Sequence, residues 1–192
     1  MSPLTPEQLE SLKENRREQI LNAAFRLFSK KGYYHTSISD IAMKAKLYKG
    51  LLYNYLESKE VLLNEVLTFA FRGVSDLGDD VMEKMKDMPA DEIFKIIITS
   101  YFTMMKEQVE VMNLTLSLAV QVSAIPSVHD TILKFYDDLL KQLEYILNNM
   151  GYAEPKKEAM LLGAIVDGIG IQYLLDINNY PIEEMKEMII NK

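Results

Sequence analysis

The sequence predicts an all-α protein of about nine helices: a small three-helix module at the N-terminus, then a larger helical body. Three observations predict this. Apolar residues recur at i, i+3, i+4 and i+7 through most of the 192 residues, a spacing that gathers them on one face of a helix. Alternating apolar and polar runs bounded by Asn-Gly or Asp-Gly turns, the signature of hairpins, do not occur. Cap residues, Gly and Pro divide the periodic stretches at helix-length intervals.

The first helix starts at Thr5 or at Leu12, the first dozen residues being prone to fray, and runs to Lys31. Ile20, Ala23, Ala24, Leu27 and Phe28 share a face. Lys30 and Lys31 suit the negative end of the helix dipole, and Gly32 ends the helix. Ser37-Ile38-Ser39-Asp40 has capping-box spacing and opens a short second helix that ends by Ala45. A third short helix covers about residues 49–56. Ser58 then caps a long fourth helix with Glu60 in its first turn. Pro89 opens a helix carrying Ile93, Ile96, Ile97, Tyr101, Met104 and Met105, and another spans about residues 109–123. Ser127-x-x-Asp130 repeats the capping spacing before a helix carrying Ile132, Phe135, Tyr136, Leu143 and Ile146, stopped by Gly151. Pro155 suits the first position of a helix that continues past Tyr173. Asn178-Asn179 breaks it, and Pro181 starts a short last helix. The chain thus divides into residues 1–60 and 61–192.

Hydrophobic residues make up 48% and charged residues 26%, the balance of a globular chain with a sizeable core. There is no cysteine, which excludes disulfides and thiolate chemistry, and only two histidines, His35 and His129. Zinc clusters and Ser-His or Cys-His catalysis have almost no raw material, so no metal and no cofactor is expected. The start, Met-Ser-Pro-Leu-Thr-Pro-Glu, lacks the basic and apolar segments of a signal peptide. Apolar runs such as 161–166 fall short of the ~20 residues that cross a bilayer. A cytoplasmic chain with no membrane partner is expected. The net charge of −7 hides an asymmetry: residues 1–60 carry ten Lys and Arg against seven Asp and Glu, and residues 61–192 carry eleven against twenty-one. A cationic head on an acidic body places any contact with nucleic acid at the head.

Two short helices joined by a tight turn cannot bury a core alone. The first helix supplies the missing wall through Ala24, Leu27 and Phe28. Ile38, Ile41, Ala42, Leu47, Leu52 and Tyr53 supply the other side. Such a unit is a three-helix helix-turn-helix, whose second short helix enters a DNA major groove. The motif is long and ordered: Ile20-Leu21-x-Ala23-Ala24-x-x-Leu27-Phe28-x-x-x-Gly32-Tyr33, then Thr36-Ser37-Ile38-x-x-Ile41-Ala42, then Lys49-Gly50-x-Leu52-Tyr53-x-Tyr55-Leu56-x-Ser58-Lys59-Glu60-x-Leu62. Over about residues 17–66 it resembles the DNA-binding domain of the TetR family of transcriptional regulators. The body resembles that family only in length and helical character.

The resemblance implies roles for residues at matching positions. Thr36 would cap the second helix and touch phosphate. Tyr48, Lys49, Gly50 and Leu51 would begin the recognition helix and face base edges. Tyr53 would serve the core, and Tyr55 would hydrogen-bond phosphate. Lys59 would sit on a phosphate attracted by the N-terminus of the fourth helix. Lys44 and Lys46 would add nonspecific attraction. His35 would be a turn residue near phosphate. Three positions depart from the family pattern: Lys46 stands where the turn usually has Gly, Tyr48 where a small cap is usual, and Leu51 where a small or hydroxylic residue is common. A Lys46 held at positive φ would cost about 1 kcal/mol.

In the body, Tyr101, Met104, Met105, Met112, Leu116, Phe135 and Tyr136 offer apolar and aromatic lining for a small-molecule effector, with Phe102 and Val120 beside them; the same spacing also serves an ordinary core. Asp167 and Gln172 interrupt an apolar helix; they orient a ligand, or are exposed, or pair across a dimer. Gly163, Gly168 and Gly170 fail the spacing of a phosphate-binding loop, which leaves close helix packing as their reason. By resemblance, the last two long helices of two subunits form a four-helix homodimer interface, with Leu162, Ile165, Ile169 and Tyr173 at or near it. Two readers about 34–36 Å apart suit a pseudo-palindromic double-stranded operator. The implied function is a DNA-binding transcriptional regulator, a repressor whose dimer releases its operator on binding a small molecule. An enzyme finds no support in paired carboxylates, His pairs or a Gly loop. The alternative is a protein-interaction module with a degenerate helix-turn-helix that has lost DNA binding, suggested by Lys46, Tyr48 and Leu51.

Overall fold

The computed structural model describes residues 5–84, 87–119 and 125–191, and their side chains except those of 72–84, 119 and 127. Among the described residues the fold is all-helical, with nine helices and no strand: α1 (Pro6–Lys31), α2 (Ile38–Lys44), α3 (Lys49–Leu52), α4 (Lys59–Lys84), α5 (Ala90–Glu107), α6 (Val109–Ala119), α7 (Pro126–Asn149), α8 (Pro155–Leu175) and α9 (Ile182–Ile190).

Local chemistry accounts for most boundaries. Thr5 caps α1 with Pro6 at its first position, and Thr5 and Gln8 form a capping box. The fraying expected of the first dozen residues is therefore not seen from Thr5 onward; residues 1–4 lie outside the described residues. Gly32, at φ 79°, closes α1 by donating its N–H to the Phe28 carbonyl at 2.9 Å. Ser37 and Asp40 cap α2 reciprocally. Ser58 Oγ accepts the Val61 N–H at 3.0 Å and caps α4. Gly151, at φ 87°, follows α7.

Three boundaries differ from the sequence reading. α3 stops at Leu52, because turn bonds from Asn54 N–H to the Leu51 carbonyl and from Tyr55 N–H to the Leu52 carbonyl bend the chain toward Ser58. Ser127 does not cap α7. Ile125 holds that place and Pro126 the first position, so Ser127 falls within the first turn. α8 ends at Leu175, before Asn178-Asn179. The expected stretch 120–123 of α6, with Val120, lies outside the described residues.

Two apolar cores hold the chain. The first joins Ile20, Ala24 and Phe28 of α1 to Ile41, Leu52, Leu62 and Val66, and continues into Leu114 and Leu118 of α6 and Val128 of α7. The second lies among α5, α6, α7, α8 and α9 around Phe102, Met105, Ile146, Leu162 and Val166. A Cβ on Gly163 would come within 3.3 Å of Leu140 and one on Gly170 within 3.3 Å of Met112, so both glycines serve close helix approach as expected; Gly168 faces open space. Lys106 of α5 and Lys186 flank Glu183 of α9 and hold its carboxyl down to about 2, fastening α9 to α5.

α8, at 21 residues, is long and apolar enough to span a bilayer by length and composition, which the residue-run argument did not anticipate. One face of it packs inside the second core through Ala159, Leu162, Val166, Ile169 and Tyr173, as in the central helix of a helical bundle.

Lys46 has φ 53°, the single positive φ outside glycine among the described residues. A Cβ is strained there. Lys46→Gly should therefore raise the unfolding free energy by about 0.5–1 kcal/mol, read from the urea midpoint, whereas Lys46→Ala keeps the strain and should give no gain.

Candidate functional site

The head presents one outward face. α3 has only four residues, too few to hold a helix unaided, and it is anchored by Leu52, which is fully buried against α1 and α2. Around the anchored Leu52, Tyr48 is 89% exposed, and Lys49, Gly50 and Leu51 are exposed beside it. A Cβ on Gly50 would meet nothing within 4 Å. Lys44 and Lys46 lie exposed at the turn, and Met43 joins them on the surface. Tyr55 is half-buried against the first core, with its neighbours Leu51 and Asn54 lining a shallow depression that α1 completes through Lys13 and Arg17. The Gln19 side chain of α1 donates to the Ala45 carbonyl at 2.7 Å and fixes the end of α2.

Two assignments change. Thr36 is neither a cap nor a surface group: it is 1% exposed, and its hydroxyl lies 2.9 Å from the Gly32 carbonyl and 3.3 Å from that of Leu27. Its neighbour Ser37 caps α2, which leaves Thr36 to tie the turn to the end of α1. Tyr53 is 58% exposed rather than core, because α3 ends before it and the turn swings it outward. The sequence reading missed a link. The Lys59 ammonium lies 4.1 Å from the centre of the Tyr33 ring, and burial pushes its pKa down. Tyr33 packs in turn on Phe28, so Lys59 is held at the mouth of α4 by the head's own core. His35 is exposed in the turn.

The body encloses a cavity of about 130 Å³ between α5, α6, α7 and α8, with Phe71 of α4 in its wall. Tyr101, Met104, Met112, Leu116, Phe135, Tyr136 and Asp167 all line it. Met105 does not. One residue along from Met104 it turns away from the cavity and packs, fully buried, toward Gly170. Phe102 is likewise core. The wall also includes Phe71, Ile97, Thr115, Gln142 and Val166, which the sequence reading passed over because helical spacing alone does not separate cavity from core. Phe71 and Phe135 stack at 3.8 Å, and the Tyr136 hydroxyl reaches Asp167 Oδ1 at 3.5 Å, the outer limit of a hydrogen bond. Burial pushes the Asp167 carboxyl above its ordinary range, against the pull of Tyr136. Burial, then the charge of Asp167, pushes Tyr101 up and raises Tyr136 to about 12.

The predicted interface residues separate. Leu162, Ile169 and Tyr173 are buried within the chain's own second core, and Leu162 lines the cavity, so these three are not free to meet a second copy. Ile165 points outward at 39% exposure. The outward stripe of α8 is Leu161, Ala164, Ile165, Gly168, Gln172 and Leu175, the last 82% exposed. Large apolar side chains stand on both faces of α8, so spacing alone does not tell the buried face from the outward one.

Comparisons with known proteins agree with this geometry. Residues 20–66 match the family model described as "Bacterial regulatory proteins, tetR family". The transcriptional regulator HbdR of Aromatoleum sp. (strain CIB) is 50% identical over 52 residues, 27% of this chain and 23% of that protein. The transcriptional repressor KstR2 of Mycolicibacterium smegmatis is 39% identical over 67 residues, 35% of this chain and 31% of that protein. The chain thus spans less than a third of either relative. The regulator PksA of Bacillus subtilis is 25% identical over 96% of this chain and 90% of that protein. Among solved structures, a TetR transcriptional regulator from Legionella pneumophila has TM-score 0.78 at 20% identity, covering 100% of this chain and 98% of that one. A regulator from Saccharomonospora viridis in complex with choline has TM-score 0.75 at 21% identity, covering 93% and 94%. FadR from Bacillus subtilis in complex with stearoyl-CoA has TM-score 0.70 at 16% identity, covering 91% and 95%.

A carboxyl whose pKa is raised on folding binds its proton more tightly in the folded chain, so it subtracts stability as pH rises above the unfolded value of 3.8. Tyr101 and Tyr136, which face it, stay protonated over that range. Asp167→Asn should therefore melt above the wild type at about pH 7.5, with the difference shrinking toward zero near pH 4. Equal differences at both pH values in a calorimetric scan would mean that Asp167 is well solvated.

Proposed function

We propose that this chain, a TetR-family protein by its N-terminal domain and its fold, is a cytoplasmic, homodimeric repressor that releases a pseudo-palindromic operator when its body takes up a small molecule. Residues 1–60 read DNA and residues 61–192 sense and dimerise. The observation that carries the reading is the outward projection of Tyr48, Lys49, Gly50 and Leu51 from a three-helix unit that buries Leu52. Gly50 adds support: the protein's own packing leaves it open space, and Gly in a helix costs about 1 kcal/mol relative to Ala, so its value lies in what approaches from outside. Relatives named as regulators and a repressor support the role in transcription. Neighbours of the same fold holding choline and stearoyl-CoA support a small-molecule site in the body.

The roles follow from the surface. Tyr48 and Leu51 meet base edges, where an apolar side chain favours the thymine methyl group. Lys44, Lys46, Lys49, Tyr55 and Lys59 meet phosphates. The lever is α4. It begins at Lys59 beside the reader and carries Phe71 into the cavity wall, stacked on Phe135. A ligand that prefers one placement of Phe71 shifts the spacing of the two heads by population shift. The outward stripe of α8 supplies the dimer contact, and the open space at Gly168 lets a second α8 come close.

Gel shifts with DNA from upstream of the coding region test the reading. Lys59→Ala should weaken all sequences alike and lower the slope of log K against log salt by about 1 per subunit. Tyr48→Ala should instead change which sequence is preferred, and equal loss on every sequence would misplace the reading face. No DNA binding at low salt would favour the interaction-module reading. Ile165→Arg should halve the mass seen by light scattering and abolish operator binding while leaving the helical signal intact; a dimer that survives it must be joined elsewhere.

A further inference from the structure

The charge of the cavity wall points to the class of ligand. Asp167 is the one ionised side chain in that wall among the described residues, and it stands mid-helix in α8, where no backbone N–H is free to turn toward it. Its two oxygens offer about four acceptor sites. Among the described residues they receive one long hydrogen bond, from Tyr136 at 3.5 Å, and no Lys, Arg or His lies within ion-pair distance. The Thr115 hydroxyl, also in the wall, donates to the Val111 carbonyl of its own helix at 2.9 Å and not to Asp167. A carboxylate facing an apolar cavity without a cation is costly, and a charge-assisted donor from the ligand relieves that cost.

The surrounding rings favour the same partner. The Phe135 ring meets Tyr136 edge-on at 5.9 Å and stacks on Phe71, and all three rings line the space that Asp167 overlooks. Ring faces attract cations and not anions. A carboxylate or phosphate head would meet the charge of Asp167 with no cation in the described wall to receive it. The remainder of the wall, Ile97, Met104, Met112, Leu116, Leu139 and Leu143, is a hydrocarbon sleeve. At 10–15 Å³ for each water-sized group, the cavity holds a ligand of roughly ten non-hydrogen atoms.

We propose that the effector of this body cavity is a small amphipathic cation, its ammonium head seated on Asp167 beside Tyr101 and Tyr136 and its hydrocarbon chain lying in the Met- and Leu-lined sleeve. The proposal rests on the regulator reading above and names the ligand class for the same site.

Three chain-matched probes test it on the full-length protein: 1-octylamine, 1-octanol and octanoate, titrated calorimetrically near neutral pH and below their aggregation thresholds. Octylamine should bind roughly tenfold or more tighter than octanol, a ratio worth about 1.4 kcal/mol, with octanoate the weakest. Asp167→Asn should bring octylamine close to octanol. An octanol or octanoate affinity equal to that of the amine overturns the proposal, as does an amine preference that survives Asp167→Asn, or no binding by any of the three. The wild-type ranking stands alone if the variant does not fold. Gel shifts separate the two readings: octanol or octanoate releasing the operator where octylamine does not would sink the cationic head and leave the ligand-responsive regulator standing, whereas a dimer that ignores DNA without any ligand would sink the regulator.

Discussion

A helix of four residues has no stability of its own, and the outward face of this protein's head is carried by such a helix. One turn of backbone hydrogen bonds does not offset the entropy of ordering it. α3 exists because Leu52 is buried, and Leu52 is buried because Phe28, Ala24 and Ile41 form the wall it fills. The rest of the head secures that one packing relation. Thr36 ties the turn to α1, Gln19 fixes the end of α2, and Lys46 accepts a strained φ so that the turn is short enough. With Leu52 anchored, helical geometry turns Gly50 and Leu51 away from the core, and Tyr48 and Lys49, at the start of the helix, are exposed beyond its edge.

The same core does not end at the head. It runs from Phe28 through Leu62 and Val66 into Leu114, Leu118 and Val128, so the head is packed against α6 and α7 rather than tethered to them. Arg17 pairs with Glu65 at 2.8 Å, and Thr131 donates to Asn64 at 3.0 Å, adding polar ties from α1 and α7 to α4. Close-packed interiors move as units rather than deform smoothly. A helix with one end at the head and Phe71 in the cavity wall therefore joins two places that the sequence keeps far apart. Asp167 sits in the wall of that cavity, where mostly apolar surroundings strengthen the effect of its charge.

Much of this was legible in the residues. Capping chemistry is local, so Ser37 with Asp40, Ser58, Gly32, Pro155 and Pro181 marked their boundaries within a residue or two. The exposure of Tyr48 followed from the helix-turn-helix pattern. Thr36 and Tyr53 did not, because each lies one position from a boundary, and a shift of one residue turns a side chain by about 100°. Met105 failed for the same reason. Methionines at neighbouring positions look alike in sequence, and only the helix opposite decides which of them borders a void.

The amino-acid sequence by itself determined the helical class, the order of the helices, the cationic head and the unit that presents Tyr48 to Leu51, because periodicity, caps and charge act over a few residues. Only the tertiary structure decided which face of α8 is buried, that Leu162 borders a cavity while Ile165 faces out, that Phe71 reaches Phe135, and that Asp167 stands with Tyr136 and, among the described residues, no cation beside it. An apolar helix can bury either side, and the choice is made by the helices that pack on it, from residues tens of positions away.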